Sequence, residues 1–99
     1  MQSKAYKVFC EEFQRHIEEF QAQLDSGQDI ATERRKHSAR FHTIRGGSGF
    51  FGLSVVSQLS GALEDLLLEE GFSSENDLPK VKSYFESLKL EAQKLLENS

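Results

Sequence analysis

Residues 41–53 read Phe41-His42-Thr43-Ile44-Arg45-Gly46-Gly47-Ser48-Gly49-Phe50-Phe51-Gly52-Leu53, and whether this run is helix or loop decides the architecture. Gly46, Gly47, Gly49 and Gly52 are four of the seven glycines in the chain. A glycine inside a helix costs about 0.8–1.0 kcal/mol relative to alanine, so three of them cost on the order of 3 kcal/mol. A flexible loop over residues 46–52 would avoid that cost. Against the loop, Phe41, Ile44, Ser48 and Phe51 keep helical steps of three, four and three across the glycines. The helical reading implies that something here requires bare backbone.

Working outward, the same periodicity recurs three more times. Phe9, Phe13, Ile17, Phe20 and Leu24 form one apolar stripe over residues 3–25, with Gly27 beyond it as a helix stop and Asp29 or Thr32 as the next cap. The glycine-bearing helix is expected over residues 30–50. Its stripe meets Arg34 and His37 upstream, which predicts first turns near the wet end of the fold. Val56, Leu59, Leu63, Leu66 and Leu67 define a third helix over residues 53–70, ending at Gly71. A fourth, over residues 77–97, is expected to start at Asn76 or Asp77, with Pro79 in its first turn and Leu78, Val81, Phe85, Leu88, Ala92 and Leu95 as its stripe. Amphipathic helices that cannot fold alone, joined by short links, predict an all-α fold. The expected arrangement is an antiparallel up-down-up-down four-helix bundle, with residues 1–99 as one domain.

Composition narrows the function classes. The 12 basic and 16 acidic residues give a net charge of −4 and a pI near 5.3, which argues against a general nucleic-acid or anionic-membrane binder. No apolar run reaches the roughly 18 residues of a membrane span, and the polar first ten residues do not read as a signal peptide. The single Cys10 excludes an internal disulfide and a cysteine-based zinc site and fits a reducing cytoplasm. His37 and His42, five apart, are off register for a helical metal pair. No cofactor or metal is expected in this chain.

The face of the second helix opposite its core stripe carries the chemistry. His42, Arg45, Gly46 and Gly49 fall at i, i+3, i+4 and i+7, with Ser38 and Ala39 one turn before His42. A lone surface histidine is ordinarily a solvated bystander. Here the imidazole stands on a surface stripped of bulk, where another protein can approach closely, and a guanidinium suited to phosphoryl oxygens lies one turn away. An imidazole is nucleophilic at neutral pH and a good phosphoryl acceptor. Arg34, Arg35, Lys36, Arg40 and Arg45 read either as a solvated basic face or as an electrostatic landing site for an acidic partner, with Arg35 on the docking side. The remaining candidates read as structural. Ser48 faces the core, Gly46-Gly47-Ser48-Gly49 lacks the lysine of a phosphate loop, His16 is a boundary residue and Cys10 is partly buried.

The run from His42 to Leu53 resembles the signature of histidine-containing phosphotransfer (HPt) domains: His, an aliphatic at +2, Lys or Arg at +3, Gly at +4, a small residue at +6 and Gly at +10. Its wording is closest to the phosphorylatable N-terminal domain of chemotaxis histidine kinases of the CheA type, and Leu59-Ser60-Gly61-Ala62-Leu63-Glu64-Asp65-Leu66-Leu67 is similar to the helix that follows there. The resemblance implies that His42 is the phosphoacceptor, that Arg45 stands for the usual Lys, and that Glu64 hydrogen-bonds the imidazole. Hairpin geometry agrees with the last point, because His42 and Glu64 are equidistant from position 53 and so lie at the same height. The subfamily often carries a second His where this chain has Gly61. The sequence contains no ATP-binding signature, so phosphate is expected from a histidine-kinase ATP-binding domain or a phosphorylated receiver. It would pass to a response-regulator aspartate, with a divalent ion supplied by the receiver. The expected state is a cytoplasmic monomer with no nucleic acid and no membrane as partner. A different class, a helical adaptor that binds a receiver or partner helix without carrying phosphate, is the competing reading.

Overall fold

In the computed structural model, which describes residues 3–98, four helices follow one another in chain order. They are α1 (Lys4–Asp25), α2 (Arg34–Phe50), α3 (Ser54–Leu68) and α4 (Ser74–Glu97), with a short 3₁₀ turn at Ile30–Glu33 leading into α2. Residues 1, 2 and 99, the ends of the expected domain, lie outside the described residues.

Each stripe faces one core. Phe13, Phe20, Phe41, Leu63, Leu67, Val81, Phe85 and Leu88 are fully buried, and the partly exposed Phe9, Leu24, Leu53, Leu59, Leu78 and Leu95 pack on its ends. The Phe20 ring, at the centre, meets Phe41 at 5.0 Å and Phe85 at 4.8 Å, both edge-to-face, the arrangement aromatic quadrupoles favour. Contacts run α1–α2, α2–α3, α3–α4 and α4–α1, the closed ring of an up-down-up-down bundle, and α2–α3 is the most extensive interface.

The glycine run is helical: α2 continues through Phe50. It ends in a motif that only a glycine fits comfortably. Gly52 has φ +74°, while the Leu53 N–H donates to the Ser48 carbonyl at 2.8 Å and the Gly52 N–H to the Gly49 carbonyl at 3.2 Å. Those bonds turn the chain directly into α3, so that α2 and α3 lie side by side.

Several expectations are corrected. The first turn of the predicted second helix is 3₁₀, capped by Asp29, whose carboxylate accepts from the Ala31 N–H at 3.0 Å. The start of α2 is wet on one face only: Arg35 and Lys36 are exposed, whereas His37 is 1% exposed, edge-on to Phe20 at 5.1 Å, and the half-buried Arg34 donates to the Glu69 carbonyl at 2.8 Å. The third helix stops at Leu68, before Gly71, because Glu69 is extended. The fourth begins at Ser74 rather than near Asn76. Asp77 reaches back to accept from the Ser73 N–H at 2.9 Å, and a hydrogen bond from Ser74 Oγ to Asp29 ties this end to the α1–α2 link. Pro79 therefore lies inside the helix, where it supplies no N–H for the Glu75 carbonyl.

Candidate functional site

The α2–α3 hairpin brings three side chains together on the outside of the bundle. The His42 side chain is 63% exposed, and its Nδ1 lies 2.8 Å from Oε2 of Glu64 on α3. Glu64 is itself largely buried, 11% exposed at the side chain, so its carboxylate is held in the interhelical groove rather than waving in solvent. Arg45, one turn after His42, places Nη1 3.1 Å from Oε1 of Glu64 and Nη2 3.3 Å from Nδ1 of His42. The expected equal height of His42 and Glu64 about the hairpin is thus met in the geometry.

Around His42 the backbone is open on one side and tightly packed on the other. A Cβ on Gly46 would meet nothing within 4 Å, and one on Gly49 only Ser57 Oγ at 3.7 Å. Arg35, Ala39, Gly46 and Gly49 are all exposed. Ser38 is not. It is 5% exposed, with its hydroxyl donating to the Arg35 carbonyl, because it sits on the side of α2 that turns into the bundle, and it offers little docking surface. Gly47 serves the core instead: a Cβ there would come within 2.5 Å of Phe9 Cδ1, so the missing side chain is the space that the Phe9 ring occupies.

The basic cluster is likewise divided. Arg40 is 9% exposed and bonds Glu19 at 2.7 Å and His16 Nδ1 at 3.0 Å, which makes it an α1–α2 tie rather than part of a landing site. Burial, and then the Arg40 charge, hold the His16 imidazole below its ordinary pKa. Arg34 stacks over Phe72. Arg35 and Lys36 remain on the surface.

One surface feature escaped the sequence reading. Phe50 is 81% exposed, on the same open side of α2 as Ala39 and Gly46, within about 80° of His42 around the axis. Its departure from the Phe41, Ile44, Ser48, Phe51 stripe was the available clue, since an aromatic off the core stripe has no core to fill. No group of metal-ligating side chains occurs among the described residues, and no helix among them is long and apolar enough to cross a membrane.

No curated protein and no solved structure matches the chain. The family model of the Hpt domain matches residues 4–98, from the first residue of α1 to the residue after α4. Hpt domains are phosphotransfer intermediates in phosphorelays, without an ATP site of their own, and they interact with histidine kinases and receiver domains. A match over nearly the whole length, on a four-helix bundle, makes this chain a member of the Hpt domain family.

Proposed function

We propose that this domain carries phosphate on Nε2 of His42, taking it from a histidine-kinase ATP-binding domain or a receiver aspartyl phosphate and passing it to a receiver aspartate. The observation that carries the reading is the 2.8 Å contact between Nδ1 and Glu64 beneath an imidazole that is otherwise open to solvent. A carboxylate accepting from Nδ1–H selects the tautomer whose lone pair lies on Nε2 and holds the ring in one orientation. The Nε2 lone pair forms the N–P bond as the donor P–O bond breaks, and the positive charge that develops on the ring is met through Nδ1–H by Glu64. In the return step the receiver supplies the attacking carboxylate, the divalent ion and most of the charge stabilisation.

Arg45 has donors left over for phosphoryl oxygens once phosphate is present. Gly46, Gly49 and Ala39 form the bare surface onto which the receiver docks, Phe50 adds an apolar contact at its edge, and Arg35 draws in an acidic partner. The likeness of residues 41–67 to the chemotaxis-kinase domain, and a cytoplasmic setting, belong to this same reading.

The test is phosphate chemistry. Incubation with candidate kinases and radiolabelled ATP is expected to label the domain with phosphate that is lost in acid and survives base, mapping to His42. His42→Gln is expected to remain folded by circular dichroism and take no label. Acid-labile label persisting in that variant overturns the assignment. Receiver binding by a domain that never accepts label would point to the adaptor reading.

A further inference from the structure

The Arg45 side chain, 41% exposed, lies across α3 at Gly61. A Cβ on Gly61 would stand 3.1 Å from Arg45 Cδ and 3.9 Å from its Nη1. Carbons in optimal contact are about 3.5–4.0 Å apart, so alanine there asks for a shift of a few tenths of an ångström and any longer side chain takes the space of the arginine. From this seat the guanidinium reaches Oε1 of Glu64 at 3.1 Å. That oxygen is buried and has no aligned hydrogen bond among the described residues, so the neighbouring cation is what offsets its desolvation.

The two contacts at Nδ1 favour opposite tautomers. Oε2 of Glu64, at 2.8 Å, can only accept, and it leaves the lone pair on Nε2. Nη2 of Arg45, at 3.3 Å, can only donate; a hydrogen bond from it to Nδ1 requires the proton on Nε2, where it blocks attack. The shorter, charge-assisted contact prevails as long as the carboxylate stays in position. We propose that Gly61 is a positioning residue. By carrying no side chain it seats Arg45 against Glu64 Oε1, which keeps Oε2 on Nδ1 and the Nε2 lone pair free. This rests on the reading of His42 as phosphoacceptor for its purpose, but its geometry can be tested without phosphate.

The experiment is ¹⁵N NMR of the His42 ring in the unphosphorylated domain, in the wild type and in Gly61→Ala, Gly61→Leu, Arg45→Met and the Gly61→Leu/Arg45→Met double variant. Phosphorylation rates are measured alongside, and melting curves check the fold. The wild type is expected to show the Nδ1–H tautomer. Gly61→Leu lowers its fraction, because the unseated guanidinium leaves Oε1 and still competes for Nδ1. Arg45→Met lowers it less, because the competing donor is lost together with the cation that holds the carboxylate. Each slows phosphorylation about tenfold, the scale of losing a group that orients a reacting side chain. The double variant is no worse than either single one, because both act through the same guanidinium, and Gly61→Ala falls between wild type and Gly61→Leu. A wild-type tautomer ratio in Gly61→Leu or in Arg45→Met overturns the proposal, as does a further shift in the double variant. If Gly61→Leu fails to fold, Gly61→Ala and Arg45→Met decide: an unshifted ratio in either overturns it. Tautomer shifts as described in a domain that accepts no phosphate would sink the carrier reading and leave the positioning role standing.

Discussion

Glu64 is a carboxylate in an interhelical groove with a ring nitrogen at one oxygen and a guanidinium at the other. Removing it changes two things. The imidazole loses the acceptor that selects its tautomer, and Arg45 is released to donate to Nδ1. Glu64→Ala is therefore expected to reduce phosphorylation of His42 by about 10–100-fold, the usual scale for a group that orients a reacting side chain. Helicity should hold, since alanine is the best helix former. A wild-type rate in a labelling time course would make Glu64 a bystander. Residue identity alone marks His42 and Arg45 as chemically apt, but it says nothing about the seat that Gly61 provides, which involves two helices.

At the scale of the element, α2 is a helix weakened by three glycines that do different things. Gly46 faces open space, so Gly46→Ala is expected to raise stability by about 0.8–1.0 kcal/mol, read as a higher urea midpoint. Gly46→Leu is expected to keep the helix and slow transfer to a receiver, because the added bulk lies on the docking face; an unaltered transfer rate would show that docking does not use this face. Gly47 faces Phe9, and Gly47→Leu is expected to destabilise the fold by about 1–3 kcal/mol through overpacking. A melting temperature at or above the wild type would contradict that. The helical step of Phe41, Ile44, Ser48 and Phe51 reveals that α2 runs through the glycines, yet the division of labour among them depends on which face meets α1. One-dimensional spacing shows Gly46 opposite the core stripe; it does not show that the Phe9 ring fills the space above Gly47.

At the scale of the whole molecule, the bundle buries imidazole along with hydrocarbon. His37 is 1% exposed, and neither ring nitrogen has a hydrogen-bond partner among the described residues. Burial, followed by the Arg40 charge and opposed by Glu33, holds its pKa below the ordinary 6.5, and His16 is displaced in the same direction. A folded pKa below the unfolded one means that the unfolded chain binds more protons in the interval between them, so stability rises with pH there. The contribution is complete above about pH 6.5 and is lost as the pH falls below it. The urea midpoint is thus expected to drop between pH 7.5 and 5.5, and to drop less in His37→Phe, which removes the group that must be protonated. A midpoint that rises on acidification, or a slope unchanged in His37→Phe, would show that His37 does not couple to folding.

Periodicity was enough to specify four helices, their order, most of the core and the α2–α3 hairpin, because burying one apolar stripe per helix leaves few alternatives for four short-linked amphipathic segments. It was also enough to place His42 on the outer face and level with Glu64, since the first follows from the phase of the core stripe and the second from counting residues about a tight turn. Rotation and neighbour identity were decided only when the helices packed. Arg40, Ser38 and His37 read as surface from their chemistry and are drawn inward by the faces of α2 that meet α1 and α3. Phe50, off the core stripe, is left outside. The start of α4 moved because the Asp77 carboxylate caps Ser73 across a turn. The seating of Arg45 on Gly61 joins residues 16 apart in sequence, which no local pattern encodes. Local spacing sets which side chains share a face, whereas the contacts a face makes depend on the other three helices.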